Sequence, residues 1–239
     1  MLGSERQREI LNYIKKNETV SVRQIVKTFY VSEATARRDL SVLEKNGQIM
    51  RVFCGATIAI APDKQVPLFV RERENEKEKT QLCKFASTFI QDGYTIFIDG
   101  SSTVQFMIPF LRQFKDLVVI TNGMKIASML SELHIKVFVS GGLLLENSSV
   151  LTGQYAEKFI DDFNADLCLI SCKGMSYDGK LTDTSFAETQ IRKYYIKNSK
   201  MKIAIITSNK IGKKYLHTLC NASDLDRVIT LNDIPAEKN

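Results

Sequence analysis

The chain has no tryptophan, two histidines, four prolines and five cysteines in 239 residues. Each scarcity removes a class of function. The histidines, at 134 and 217, stand far apart and near no cysteine pair, so the spacing of a zinc site is missing. The cysteines at 54, 83, 168, 172 and 220 are odd in number and include no Cys-x-x-Cys pair. Reduced, mostly buried thiols are therefore expected in place of a disulfide framework. No apolar run approaches the ~18 residues that a membrane-spanning helix needs. The opening residues, MLGSERQR, place charges where a secretory signal carries its apolar stretch. The expectation is a cytoplasmic protein with no membrane partner, no metal and no cofactor.

What is present is uneven. The net charge is +6, and residues 1–57 hold ten Lys or Arg against six Asp or Glu, so most of the excess lies in the first quarter of the chain. A concentrated positive field is the electrostatic footprint of a nucleic-acid binder. That stretch also reads as three short helices. Ser4 and Gln7 have capping-box spacing ahead of Ile10, Leu11 and Ile14; Ser21 and Gln24 repeat it ahead of Ile25, Val26 and Phe29. A third helix opens with Ser32 as N-cap, runs through Lys45 and meets Asn46-Gly47, a stop signal. "QIMRVFCGATIAI" then turns to β-type residues broken by Gly55, which suits a hairpin.

Three helices and a hairpin are the pattern of a winged helix-turn-helix. On a wheel at ~100° per residue the third helix turns Ala36, Leu40 and Leu43 to the core. Ala34, Arg38, Ser41 and Lys45 face outward, with Thr35, Arg37 and Val42 on the flanks. The outward face is positive and its first half is small and polar, so it can enter a major groove. Arg38 points most directly from the core, where a guanidinium reaches guanine O6 and N7. The competing reading is a wet helix whose arginines pair with Glu33, Asp39 or Glu44. The residues Val31-Ser32, Thr35, Arg37-Arg38-Asp39-Leu40, Leu43-Glu44, Gly47, Ile49, Arg51 and Gly55-Ala56 resemble the recognition-helix and wing signature of the DeoR-type family of bacterial transcriptional regulators. The resemblance implies DNA binding through Ser32, Ala34, Thr35, Arg37, Arg38, Ser41, Lys45 and Arg51. Two positions depart from it: Ala36 replaces a branched apolar residue, and Cys54 replaces the first of two wing glycines.

"APDKQVPLFVRERENEKEKTQ", 61–81, holds two prolines and balanced charges, which marks a connecting segment. The expected division is a DNA-binding domain at 1–58, a linker at 59–74 and a second domain at 75–239. In the second domain strands at 94–99, 117–121, 135–140, 167–171, 202–207 and 227–231 alternate with helices at 82–91, 103–113, 124–133, 155–163 and 187–199. Such alternation predicts an α/β fold with a mostly parallel, buried sheet. Ligands on open sheets of this kind bind outside the carboxyl ends of the strands. There stand Asp99-Gly100-Ser101-Ser102-Thr103, Thr121-Asn122 and Gly141-Gly142, and Lys210 follows a later strand. A Gly-Ser-Ser-Thr turn entering a helix offers amide and hydroxyl donors at the positive end of the helix dipole, an anion site suited to phosphate. Lys210 would add a mobile charge, and Asp99 and Asn122 could hold sugar hydroxyls.

These positions, with Gly153, Ala165-Asp166, Gly174, Gly179, Glu188 and Ile211-Gly212, resemble the DeoR-type C-terminal sensor domain, related in fold to ribose-5-phosphate isomerase. The resemblance spans nearly the whole chain. It implies a sugar phosphate or polyol phosphate as effector; Glu188 and Lys173 are further candidates for the site. Thr207 stands where the family usually carries an Asp, and Lys173 where it carries a small or hydroxyl residue. The expected function is a transcriptional regulator, most simply a repressor of sugar-uptake or sugar-metabolism genes, that binds double-stranded operator DNA as a homodimer or homotetramer. Two other readings are an isomerase-type enzyme using Lys173, Asp166 and Glu188 as an acid/base set, and a constitutive DNA binder whose sensor has lost its ligand.

Overall fold

In the computed structural model, residues 3–17, 19–45, 48–52, 54–58, 68–145 and 148–234 are described, and they fall in two compact units, residues 1–66 and 67–239. Asn46-Gly47, expected to stop the third helix, and 59–67 of the expected linker lie outside the described residues.

The first unit runs α1 (Gly3–Asn17), β1 (Thr19–Ser21), α2 (Val22–Phe29), α3 (Glu33–Lys45), β2 (Ile49–Val52) and β3 (Gly55–Ile58). The three strands form one antiparallel sheet in the order β1-β3-β2. Ser21 caps α2 as expected: its hydroxyl accepts from Gln24 N at 3.2 Å and the Gln24 carboxamide accepts from Ser21 N at 2.8 Å. The matching device at Ser4 and Gln7 is not formed. α1 already includes Ser4, and the Gln7 side chain instead donates to Asp39 Oδ1 at 3.0 Å. Ile10, Ile14, Val20, Ile25, Ala36, Leu40, Leu43 and Ile49 close the core, so the α3 wheel is realised with the three expected residues inside. At the wing turn Gly55 fits because a Cβ there would stand 2.2 Å from Val20 O. Cys54 beside it has φ +63°, the left-handed region that favours glycine.

The second unit opens with α4 (Leu68–Arg73), in a stretch expected to be linker, and α5 (Glu76–Ala86). There follow β4 (Thr95–Ile98), a 3-10 turn at Val104–Met107 continuing into α6 (Ile108–Leu111), β5 (Val118–Thr121), α7 (Met124–Glu132) and β6 (Lys136–Val139). A small hairpin, β7 (Leu143–Leu144) and β8 (Leu151–Thr152), precedes α8 (Gln154–Asp161) and β9 (Ala165–Ile170). The remainder is β10 (Gly174–Met175), β11 (Lys180–Asp183), α9 (Phe186–Lys197), β12 (Ser199–Ile205), β13 (His217–Asn221) and β14 (Arg227–Ile229). Six strands make a wholly parallel sheet ordered β14-β12-β9-β4-β5-β6. The six expected strands are these six. The expectation missed a second sheet, β10-β11-β13, which is antiparallel.

Strand periodicity explains the two cores. Along β4, Ile96 and Ile98 join one apolar cluster and Phe97 the other; Leu167, Leu169 and Cys168, Ile170 divide the same way on β9. Alternate side chains point to opposite faces, and both faces are covered by helices, α5, α6 and α7 on one and α8 and α9 on the other. The strand order reverses between β4 and β9. That reversal opens a crevice at their carboxyl ends, the usual ligand position in a doubly wound sheet.

Candidate functional site

On α3 the paired arginines part company. Arg37 donates to Glu33 Oε1 at 2.6 Å, an exposed pair one turn apart, and such pairs stabilise by ~1 kcal/mol at most. Asp39 turns inward to 2% exposure and accepts from Arg6 Nε at 2.6 Å and from Gln7. This buried bond ties α3 to α1. Arg38 is exposed and makes no ion pair or hydrogen bond among the described residues. The Ser32 hydroxyl accepts from Thr35 N at 3.2 Å and pairs with the Thr35 hydroxyl at 2.9 Å, which caps the helix. Ala34 and Lys45 are exposed; the Ser41 hydroxyl donates to Arg37 O at 2.9 Å. Arg51, expected among the DNA-binding residues, donates to the same carbonyl at 3.3 Å. The face left open is Ala34, Arg38 and Lys45, flanked by Thr35 and Arg37.

At the sheet edge, Asp99 follows β4. Its Oδ2 accepts from Arg192 Nε at 2.7 Å and Ser171 N at 3.0 Å, and its Oδ1 accepts from Ser101 N at 3.0 Å. The carboxylate is thus engaged on both oxygens, and it organises the crevice instead of standing free for a sugar hydroxyl. Asn122 is engaged likewise: Oδ1 accepts from Gly100 N at 3.1 Å and Tyr195 Oη at 3.3 Å, and Nδ2 donates to Leu151 O at 3.0 Å. The Thr121 hydroxyl donates to Ile98 O at 2.6 Å, fastening β5 to β4. Gly100 and Gly123 permit the two loops to touch, since a Cβ on Gly100 would lie 2.2 Å from Val150 Cγ1 and 3.1 Å from Gly123 Cα.

The Ser101–Thr103 turn remains. The amide N–H groups of Ser102 and Thr103 have no acceptor among the described residues, and the Ser102 hydroxyl makes no hydrogen bond among them. The Ser101 hydroxyl accepts from Val104 N at 3.2 Å, which shapes the turn. Lys210 Nζ donates to Thr103 Oγ1 and to Ser171 Oγ, both at 2.8 Å. Burial holds the Lys210 pKa below the ordinary lysine value. Ser101, Ser102, Thr103, Ser171 and Lys210, from three separate strand ends, are therefore brought together. Thr207 starts the turn that carries Lys210, its hydroxyl donating to Asn209 Oδ1 at 2.7 Å. Gly141 and Gly142 follow the edge strand β6, two strands from β4, and a Cβ on Gly142 would stand 2.5 Å from Thr152 O.

Lys173 lies near the crevice, its ammonium donating to Thr184 Oγ1 at 3.1 Å and standing 5.7 Å from the Tyr215 ring centroid. Burial lowers its pKa. Glu188 accepts from Arg192 Nη2 at 2.9 Å. Asp166 is at the amino end of β9, where it pairs with Lys200 at 2.8 Å and accepts from Thr95 N at 3.0 Å. The imagined acid/base set of Lys173, Asp166 and Glu188 is therefore divided between opposite ends of the sheet.

Three cations escaped the sequence reading. Arg192 is the hub of the crevice floor, bonding Asp99, Asp183 and Glu188 at 2.7, 2.9 and 2.9 Å. Burial alone would lower its pKa; the three carboxylates outweigh this and hold it above the arginine range. Arg71 of α4 is half-buried, within electrostatic reach of Glu188, Arg192 and Asp183. Lys79 of α5 is 3% exposed. The i, i+4 spacing of Glu188 and Arg192 was the available signal, but that spacing suits a solvated helix equally well.

Residues 74–232 match the family model of the DeoR C-terminal sensor domain, and residues 6–60 match that of the DeoR-like helix-turn-helix domain. The HTH-type transcriptional regulator GolR of Listeria innocua is 32% identical over 235 residues, 98% of this chain and 92% of that protein. The glycerol-3-phosphate regulon repressor of Escherichia coli is 26% identical over 231 residues, 96% of this chain and 91% of that one. In fold the chain is similar to eIF2B delta of Chaetomium thermophilum, with a TM-score of 0.51 and 13% identity over 83% of this chain and 63% of that one. It is also similar to ribose 5-phosphate isomerase A of Methanocaldococcus jannaschii, with a TM-score of 0.43 and 15% identity over 58% and 55%. No helix among the described residues is long and apolar enough to cross a membrane. A helix-turn-helix unit with a positive outward helix, followed by an α/β sensor unit, both matched in order along the chain, places this protein in the DeoR family of transcriptional regulators.

Proposed function

We propose that the protein is a repressor of sugar-uptake or sugar-metabolism genes whose hold on operator DNA is controlled by a phosphorylated sugar or polyol bound at the Ser101–Thr103 turn. The observation that carries the sensor half is the junction of Lys210 with Thr103 and Ser171 at 2.8 Å, beside two amides that have no acceptor among the described residues. Those donors match a phosphate: a cation, hydroxyls and backbone N–H groups at the start of a helical segment. For the DNA half, Arg38 supplies the base contact, Thr35 and Arg37 flank it, and Lys45 meets the backbone. The double-stranded operator is read by two or four copies, because one reading head has limited affinity and a palindromic site mirrors a two-fold protein. The protein acts in the cytoplasm without a cofactor and performs no reaction of its own; the separation of Asp166 from Lys173 and Glu188 supports this.

A ligand that moved the population from 1:99 to 99:1 would need ~5.5 kcal/mol of differential binding, so a small effector shifts operator occupancy partially. The test uses an operator selected from random duplexes and followed by fluorescence anisotropy at two salt concentrations. Arg38→Ala is expected to lose ~1–3 kcal/mol of discrimination between selected and scrambled duplexes. An unchanged sequence preference refutes the groove assignment. A panel of sugar phosphates should include one that raises the melting temperature and weakens operator binding; a panel in which none does so refutes the sensor assignment.

A further inference from the structure

The β7–β8 hairpin has no part in the reading above, and it is finished on one side only. β8 is the inner strand. Leu151 N donates to Asn122 O at 2.8 Å and Leu151 O accepts from Asn122 Nδ2 at 3.0 Å, so the backbone groups of Leu151 face Asn122 and not β7. Leu144 stands opposite Leu151. In an antiparallel pair, opposite residues turn their N–H and C=O either both toward each other or both away. Leu144 therefore turns its own outward, and among the described residues no third strand meets them. The side chains are equally uncovered. Leu143 is 67% exposed and Leu144 54%, although successive residues of a strand point to opposite faces, so the hairpin carries wet leucine on both sides. A Cβ on Gly142 would lie 3.2 Å from Ala156 Cβ, so their chain neighbours Leu143 and Tyr155, the latter 85% exposed, border one patch. Strand edges are ordinarily guarded against pairing by charge or proline. β6 and β14, the edges of the parallel sheet, each open on an exposed cation, Lys136 and Arg227. Residues 141–145, Gly-Gly-Leu-Leu-Leu, hold neither charge nor proline.

The edge is complementary to itself. Laid antiparallel on its own copy about a two-fold axis through Leu144, it sets Leu144 against Leu144 and Leu143 against Leu145. Every pair is then apolar, and the outward N–H and C=O of the two Leu144 residues close two hydrogen bonds. Leu143, Leu144 and Tyr155 together expose ~400 Å², about half of the ~800 Å² that each partner buries in a standard interface, which is the apolar share such interfaces have. We propose that a second copy of this chain pairs with the first through β7, making a four-stranded antiparallel sheet, β8-β7-β7-β8, across a two-fold axis. This gives a surface to the two-copy reading of the operator proposed above and does not depend on the phosphate reading. The seam lies one strand from the Ser101–Thr103 turn, because Asn122, which holds β8, also accepts from Gly100 N at 3.1 Å.

The experiment measures the mass of the full chain by light scattering, without DNA or effector. The wild type is expected as a dimer or tetramer. Leu144→Lys should halve that mass with an unchanged circular dichroism spectrum, whereas Leu216→Lys, a change at another exposed leucine, should leave it as it is. The register is tested by Leu144→Cys in a chain whose exposed Cys54 is replaced by Ser. Paired strands set the two Cα atoms ~5.5 Å apart, within reach of a disulfide, so oxidation should link most chains in pairs, while Leu216→Cys links few. Should Leu144→Lys fail to fold, the cysteine variant decides. An oligomer whose mass survives Leu144→Lys and whose Leu144→Cys chains do not link overturns the β7 pairing and leaves the two-copy reading standing. A halved mass without linkage keeps the leucine patch as the seam and overturns the register about Leu144. A wild type that is monomeric at every concentration overturns both readings.

Discussion

Arg192→Met is the most demanding perturbation of the sensor unit. The side chain is 6% exposed and holds three carboxylates, Asp99, Asp183 and Glu188, at 2.7 to 2.9 Å. Methionine approximates its stem and removes its charge. Taking away one partner of a buried ion pair costs ~3–5 kcal/mol, because the other is left desolvated. Here one deletion strands three acidic groups, so a loss near the upper end, ~5 kcal/mol, is expected. Against a total of ~5–15 kcal/mol for a domain, that leaves the unit marginal. The assay is urea unfolding of wild type and variant at neutral pH, followed by circular dichroism since the chain has no tryptophan. The pH dependence gives a second check. The guanidinium pKa is raised above the ordinary arginine value, so its contribution is complete below that value and is lost only in strong alkali. The wild-type cluster should accordingly draw no pH dependence from Arg192 between about pH 5 and about pH 9. A loss below ~1 kcal/mol, the scale of exposed pairs, would refute the description of the crevice floor.

Two further substitutions probe backbone geometry. Gly100→Ala forces a methyl to 2.2 Å from Val150 Cγ1 and should cost ~1–3 kcal/mol in urea unfolding; an unchanged midpoint would mean that the loops after β4 and β5 do not meet. Cys54→Gly relieves a left-handed φ of +63° and should stabilise the helix-turn-helix unit by ~1 kcal/mol, seen as a thermal midpoint several degrees higher; a lower midpoint would contradict the wing conformation.

Local order was legible where local physics decides it. Ala36, Leu40 and Leu43 had to share a face by helical spacing alone, and they do. The six parallel strands were legible because a sheet buried on both faces needs runs of Val and Ile. β11 and β13 escaped because "KLTD" and "HTLCN" are short and polar, and only their pairing makes them strands. The donors of the anion turn were visible as residue types. The fate of Asp99 and Asn122 was not, because their partners lie 93 and 73 residues away in α9. Arg71 and Lys79 were hidden for a related reason: in a charge-balanced segment nothing local separates a buried cation from its solvated neighbours. The plainer reading of that helix holds for Arg37, which pairs with Glu33, while Arg38 stays exposed with no ion pair among the described residues.

The reversal of strand order between β4 and β9 has a consequence for how the crevice comes into being. Its Ser101–Thr103 turn follows β4, in the first half of the sheet, while Ser171, Arg192 and Lys210 all come from the second half. Neither half can make a rudimentary version that the other improves. If the proposed effector binds there, its affinity is a property of the joined halves, and the molecule clamps the seam between them.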